Sequence, residues 1–239
     1  MTPDDLKEYN YPDNTIFFLH IAKTGGLTIN QIFANNGVRY PKSYYGKILS
    51  LNTKKGKEKL VICHTQFSLH ESLKNTKIIF FYRDPIERFI SAFYYFKNKL
   101  NAPLLREFDT VNDLAELWNL NYVENVRNLN YLDKRGRNIK YTHLYKSLSC
   151  YVGTLNTLES LKDSLYFIGD FNNFDQEVKK MCNKIDIRNC NFGHKNSYKS
   201  FSKKIPKNKY LSEQTENNLK QYFAEDYKII KWIKSNVGE

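Results

Sequence analysis

The chain has 239 residues, 41% of them apolar, and a formal charge of +12 at neutral pH. That is enough apolar sequence for one sizeable core, and no shift in composition divides it, so a single domain over 1–239 is expected. The charge favours phosphate, sulfate, nucleic acid or anionic glycan without choosing among them; Lys and Arg are scattered from Lys7 to Lys234 rather than gathered on one predicted helix, so an ordinary solvated basic surface stays open, and with no recognition-helix, RNP or zinc signature no nucleic-acid partner is expected.

The four cysteines, Cys63, Cys150, Cys182 and Cys190, include no Cys-x-x-Cys pair and no His at zinc-finger spacing, so no metal is expected. Cys182 and Cys190 could pair under oxidising conditions, but four cysteines in a chain of this size make no disulfide framework. Reduced thiols and a cytoplasmic setting are the expectation. Met1 to Asn14 is polar, and no apolar run approaches the ~18–20 residues that span a bilayer, so no leader, anchor or membrane segment is expected.

Thr15-Ile16-Phe17-Phe18-Leu19-His20-Ile21 is an almost continuous apolar run, the pattern of a parallel strand covered on both faces. It ends at Ala22-Lys23-Thr24-Gly25-Gly26, after which Leu27, Ile29, Ile32 and Phe33 recur at helical spacing up to Asn35-Asn36-Gly37. Leu60 to Cys63 and Lys77 to Tyr82 predict a second and a third strand. Arg83 follows the third; Asp84 then suits an N-cap, Pro85 the first helical position and Glu87 a capping box, for a helix running to about Leu100.

Val111 to Leu132 reads as a helical layer with Leu114, Leu117, Trp118, Tyr122, Val126 and Leu129 facing inward. Tyr166 to Gly169 predicts a fourth strand, Phe174 to Ile185 a helix, and Ser212 the start of one long terminal helix with Leu219, Tyr222, Phe223 and Ile230 on one face. Asp186 to Lys209, rich in Asn, Lys and Ser, is expected to be the least ordered segment. Strands alternating with helices predict an α/β fold with a mainly parallel central sheet flanked by helices.

Two segments carry chemistry. A Gly-rich turn entering a helix presents unpaired backbone N–H groups and the positive end of the helix dipole, an anion site to which Lys23 adds a charge and Thr24 and Thr28 add hydroxyl donors. In the nucleotide-triphosphate P-loop the Lys and hydroxyl follow the second glycine; here Lys23 precedes both glycines, which argues against magnesium-dependent nucleotide hydrolysis. On local spacing alone, a turn that merely joins strand to helix stays open.

Arg83 leaves the third strand at its carboxyl end, where open α/β sheets bind ligands, and its fork can grip a phosphate. The spacing by four of Arg83, Glu87 and Ser91 would put Arg83 and Ser91 on one side of the helix. An ordinary ion pair of Arg83 or Arg88 with Asp84 or Glu87 also stays open.

Together, Phe18-Leu19-His20-Ile21-Ala22-Lys23-Thr24-Gly25-Gly26 and Tyr82-Arg83-Asp84-Pro85-Ile86-Glu87-Arg88-Phe89-Ile90-Ser91-Ala92-Phe93-Tyr94-Tyr95 resemble the two donor motifs of the carbohydrate sulfotransferases, which use 3′-phosphoadenosine 5′-phosphosulfate (PAPS). The similarity is nearest to the group containing the heparan sulfate 2-O-sulfotransferase and its soluble bacterial relatives. It implies a P-loop-like architecture in which Lys23, Thr24, Gly25, Gly26, Leu27 and Thr28 hold the phosphosulfate, and Arg83 and Ser91 hold the 3′-phosphate. It implies transfer of a sulfuryl group to an acceptor hydroxyl, with a carbohydrate as acceptor, 3′-phosphoadenosine 5′-phosphate (PAP) as product and no metal.

Fainter echoes are Asn125 to Leu132, Phe167-Ile168-Gly169, Phe223 to Tyr227, and the stretch Lys195-Asn196-Ser197 to Ser200, which resembles a loop closing over the donor. Ala22 stands where the family commonly has proline, and Leu27 where it often has Thr or Ser, so one side-chain hydroxyl is lost while the backbone N–H remains.

Direct transfer needs a base for the acceptor proton. His64 follows the second strand at its carboxyl end, and Val61-Ile62-Cys63-His64-Thr65-Gln66-Phe67 resembles the family segment that carries the catalytic His. His64 as base, with Lys23 neutralising charge on the leaving phosphate, is the expectation; a strand-end His capping a carbonyl stays open. His70 is the reserve, His143 and His194 come after it, and His20, inside the first strand, is expected to be packed. A P-loop phosphotransferase and a basic nucleic-acid-binding module are the competing readings.

Overall fold

A computed structural model describes residues 11–41, 45–64, 69, 71–132, 136, 138–192 and 211–237. Among them lie β1 (Ile16–Leu19), α1 (Gly26–Asn35), β2 (Ile48–Thr53), β3 (Gly56–Cys63), β4 (Lys77–Tyr82), α2 (Pro85–Tyr94), α3 (Val111–Glu116), α4 (Leu120–Asn128), β5 (Asn130–Leu132) and β6 (Asn138–Lys140). There follow α5 (Thr142–Tyr145), α6 (Ser149–Val152), α7 (Leu155–Ser160), β7 (Leu165–Asp170), α8 (Phe174–Lys184), α9 (Glu213–Tyr222) and α10 (Ala224–Asn236).

The chain divides into two compact units, one within Met1–Arg83, Leu148–Lys195 and Ile229–Glu239, the other within Asp84–Ser147 and Asn196–Lys228. The first holds a five-stranded sheet among the described residues, ordered β2-β3-β1-β4-β7. β3, β1, β4 and β7 run parallel, with Leu19 aligned to Cys63 and to Phe80, and Tyr82 to Asp170; only β2 is antiparallel, at the edge. The fold is the mixed α/β architecture expected, with a mostly parallel sheet flanked by helices.

Strand alternation sorts the apolar residues onto two faces. Phe17, Leu19, Val61, Ile78 and Phe80 pack with Tyr151, Val152, Leu158, Ile229 and Ile233. Phe18, Leu60, Ile62, Ile79 and Phe81 pack with Ile29, Ile32 and Phe33 of α1 and Val178 and Met181 of α8. Each such side chain, fully buried, contributes ~1.5–3 kcal/mol, so the sheet is held from both faces and its carboxyl ends form a fixed rim.

β1, β4, β7 and α8 lie close to where the sequence places them. β2 was not expected: it pairs with β3 through the turn at Thr53 to Gly56, and β3 is correspondingly longer than Leu60 to Cys63. Cys182 and Cys190 form a disulfide across a Cα separation of 6.1 Å, a correction to the expectation of reduced thiols that removes its support for a cytoplasmic setting. With Asn189 bonded at both its N–H and carbonyl to the Asn36 side chain, this fixes 186–192; the remainder of the segment expected to be least ordered, 193–209, lies outside the described residues.

The second unit packs Phe89, Phe93, Leu114, Trp118, Val126 and Phe223 into one core. Asp84 caps α2, accepting from the Glu87 N–H at 2.9 Å, and after Tyr94 the ladder widens into a π-helical turn, Tyr95–Lys99. The single helix expected over Val111 to Leu132 is two: Asn119 caps α4 and breaks the run, and Leu117 and Leu129 are 46% and 42% exposed rather than inward. The terminal helix is likewise two, α9 capped by Ser212 and α10 starting after Phe223. That break seats Asp226, 0% exposed, beside Arg88, 2% exposed, with Asp226 Oδ2 at 3.8 Å and the Lys146 carbonyl at 2.6 Å from Arg88 Nη2. Arg88 therefore has a structural partner other than Asp84 or Glu87. Among the described residues no helix is long and apolar enough to cross a membrane.

Candidate active site

The parallel strands deliver His20 after β1, His64 after β3, Arg83 after β4 and Phe171 after β7, all to the carboxyl rim where open α/β sheets bind ligands. The loop from His20 to Gly25 turns the chain into α1. Lys23 has φ 67° and Gly25 φ 82°, so two nearly adjacent residues are left-handed. For Lys this costs ~1–2 kcal/mol, strain that the surrounding structure sustains.

Gly25 is the N-cap of α1, and its carbonyl accepts from Thr28 N–H at 2.9 Å and Ile29 N–H at 3.3 Å. A Cβ there would strike the Phe174 ring, and one on Gly26 would strike the His20 imidazole. The two glycines thus serve different needs, a left-handed turn and a close ring approach. No acidic residue lies in the first turn of α1, so no side-chain charge there offsets the positive end of its dipole or competes for the first N–H groups.

Lys23 is half-buried at this turn. Arg83 points at the same loop: its Nη1 lies 3.5 Å from the Lys23 carbonyl, and its guanidinium sits 4.7 Å over the Phe171 ring. Phe171 packs on Phe174 at 5.0 Å, and Phe174 on Phe192 at 6.4 Å, so an aromatic group braces both Gly25 and Arg83. Beside it the Tyr82 hydroxyl donates to Asp170 at 3.0 Å, and burial, with the Asp170 charge, pushes that phenol above the usual tyrosine range.

His64 is half-buried, with its ring 4.5 Å from that of His20 and 5.3 Å from that of Tyr45. The structure therefore gathers Lys23, Gly25, Gly26 and Arg83 at the loop and joins His64 to that loop through His20. Two expectations change, one at the Thr24 hydroxyl and one in the spacing of Arg83 from Ser91. Thr24 is buried and its hydroxyl donates to the Ile21 carbonyl at 2.8 Å, so it is not the spare hydroxyl donor expected, and only its backbone N–H is left for a ligand. Thr28 is buried in the first turn of α1, whereas the Leu27 side chain is exposed, leaving its N–H as the contribution.

Arg83 also precedes the helix rather than joining it, because α2 begins at Pro85; its spacing from Ser91 is not a helical one. Ser91 lies half-buried on α2, in the second unit. Ser197, His70 and His194 lie outside the described residues. His143 is on α5 of the second unit, with Tyr95 and Phe96 rings each 5.7 Å away.

Sequence reasoning gave His20 only a packed place, which its burial bears out, and passed over Phe171 and Phe174. His20 reads as one more position in a strand, and only the approach of Gly26 and His64 shows where its ring goes. The aromatic pair had a signal, two Phe three residues apart directly after the fourth strand.

A mostly parallel sheet that carries a helix N-terminus and two cations at its carboxyl rim defines an α/β protein with its basic groups gathered at that rim. The family model described as Sulfotransferase family matches residues 10–234, and the chain belongs to that family. No curated protein matches the chain. Among solved structures it is similar to mouse sulfotransferase SULT7A1 complexed with PAP, at 14% identity over 98% of this chain and 92% of that one, with a TM-score of 0.49.

Proposed function

We propose that this sulfotransferase takes its sulfuryl group from PAPS and delivers it to a carbohydrate hydroxyl, in the manner of the heparan sulfate 2-O-sulfotransferase group. The observation that carries the donor reading is the left-handed turn at Lys23 and Gly25, with Arg83 Nη1 3.5 Å from the Lys23 carbonyl. It supplies one anion site of backbone N–H groups and two neighbouring charges, in the two segments whose sequences resemble the donor motifs. The +12 charge supports an acidic glycan as acceptor.

On this reading the phosphosulfate lies against the N–H groups of Thr24 to Leu27, and the 3′-phosphate is gripped by Arg83. Phe171 and Phe174 hold Arg83 and Gly25 in position. The acceptor oxygen attacks sulfur in line, the bond from sulfur to the bridging phosphate oxygen breaks, and PAP leaves. His64 takes the hydroxyl proton, and Lys23 offsets the charge that builds on the departing oxygen. No step asks the protein for a metal.

The test is to supply PAPS with a panel of glycans, neutral and acidic, and read each product by mass spectrometry. A sulfate mass increment on a glycan, with stoichiometric PAP, is expected. Sulfate appearing only on phenolic or peptide acceptors would overturn the carbohydrate reading, and none on any acceptor would overturn the activity.

A further inference from the structure

The His20 ring has three neighbours that no structural need of β1 calls for together. It is 7% exposed, stacks on Phe18 at 6.0 Å and 17°, meets the ring of His64 edge to face at 4.5 Å and 76°, and occupies the space that a Cβ on Gly26 would fill. Its own backbone N–H is fixed to the Cys63 carbonyl at 2.8 Å, one residue before His64. The imidazole is thus anchored on the strand pair β1–β3, wedged between the donor loop and the base assigned above.

We propose that His20 is a positioning residue: its ring plane sets the orientation of His64 and holds it in register with the loop at Gly26. This rests on the reading of His64 as base. Edge-to-face contact between rings is directional, the positive edge of one meeting the face of the other, so it fixes a plane as well as a distance. Gly26 lacks a side chain at the point where the ring passes, which leaves the loop backbone in direct contact with the ring that orients the base. Misplacement of a reacting group by ~1 Å costs on the order of 10²-fold in rate, so an orienting ring is worth a measurable share of turnover without touching substrate.

Four variants separate the possibilities: His20→Phe, which keeps a flat ring; His20→Met, which fills the volume without one; His64→Asn; and His20→Met with His64→Asn. Expected are near wild-type kcat for His20→Phe and a fall of ~10–10²-fold for His20→Met with PAP affinity within about threefold. Because His20 acts through His64, His20→Met should add almost nothing in the His64→Asn background.

Imidazole signals of His64 in a nitrogen-edited NMR spectrum give a reading free of turnover, sharp in wild type and His20→Phe and broadened in His20→Met. Unchanged kcat and unchanged His64 signals in His20→Met, or losses that multiply in the double variant, would overturn the positioning role. If His64→Asn turns over normally while His20→Met still disturbs the His64 signals, the base assignment fails and the packing role of His20 stands.

Discussion

At the residue scale, the donor loop was legible because its chemistry is local. Lys and Thr before a glycine pair, after a β-rich run, can be read in order along one stretch of chain, and the same holds for Arg83 after β4. What could not be read is where side chains end up across the sheet: the Thr24 hydroxyl is spent on the Ile21 carbonyl, and the His20 ring reaches His64 across a strand pairing. Arg83→Ala is expected to weaken PAP binding by ~1.5–3 kcal/mol, the loss of a charge-assisted contact, while adenosine 5′-phosphosulfate, which lacks the 3′-phosphate, loses much less. Calorimetry with both ligands checks this, and equal losses would return Arg83 to bracing the loop alone. Gly25→Ala combines a left-handed φ of 82° with a Cβ against the Phe174 ring. Urea unfolding should show a loss of at least ~1–2 kcal/mol, and a neutral result would contradict the turn geometry.

Elements were legible in proportion to the length of their apolar pattern. β1 and β4 stand out because strands buried on both faces read as unbroken apolar runs, whereas β2, an edge strand with Ser50 and Asn52 exposed, carries half the signal. The helical layer misread as continuous shows the opposite error: periodicity carried across Asn119 and Phe223, where caps and a change of direction outweigh propensity. Among the caps, Thr110 and Asp113 form a reciprocal box at α3, and the Thr110 N–H and hydroxyl bonds hold the Asp113 carboxyl below its ordinary range. A carboxyl depressed in the folded state stabilises fully above its unfolded pKa of ~3.9 and ceases to do so as pH falls through the lower folded value. Asp113→Asn should therefore cost a few tenths of a kcal/mol, up to ~0.5 kcal/mol, at neutral pH, since solvent screens this partly exposed carboxyl, with the gap to wild type closing on acidification below about pH 4. Chemical denaturation across that range measures it, and a gap independent of pH would assign the effect to packing.

At the scale of the whole molecule, composition gave the size of the core and the sign of the charge but neither the division into two compact units nor the disulfide. Cysteine spacing alone does not say that the segment after α8 folds back along α1, which is what brings Cys190 to Cys182. Alkylation of the denatured protein without reductant should label two thiols, Cys63 and Cys150, and reduction should release two more. Four labelled at once would contradict the pairing. The family match over residues 10–234 shows the membership, and the proposal made from the two motifs lying far apart in sequence is that together they hold the donor nucleotide without a metal. The measurement that tests this most directly is a calorimetric titration of PAP into the protein in chelator-containing buffer, repeated with Lys23→Ala and with ATP plus magnesium. Saturable PAP binding without metal, weakened in Lys23→Ala and not reproduced by ATP with magnesium, is the predicted result; no PAP binding without metal, with ATP bound when magnesium is present, would contradict it.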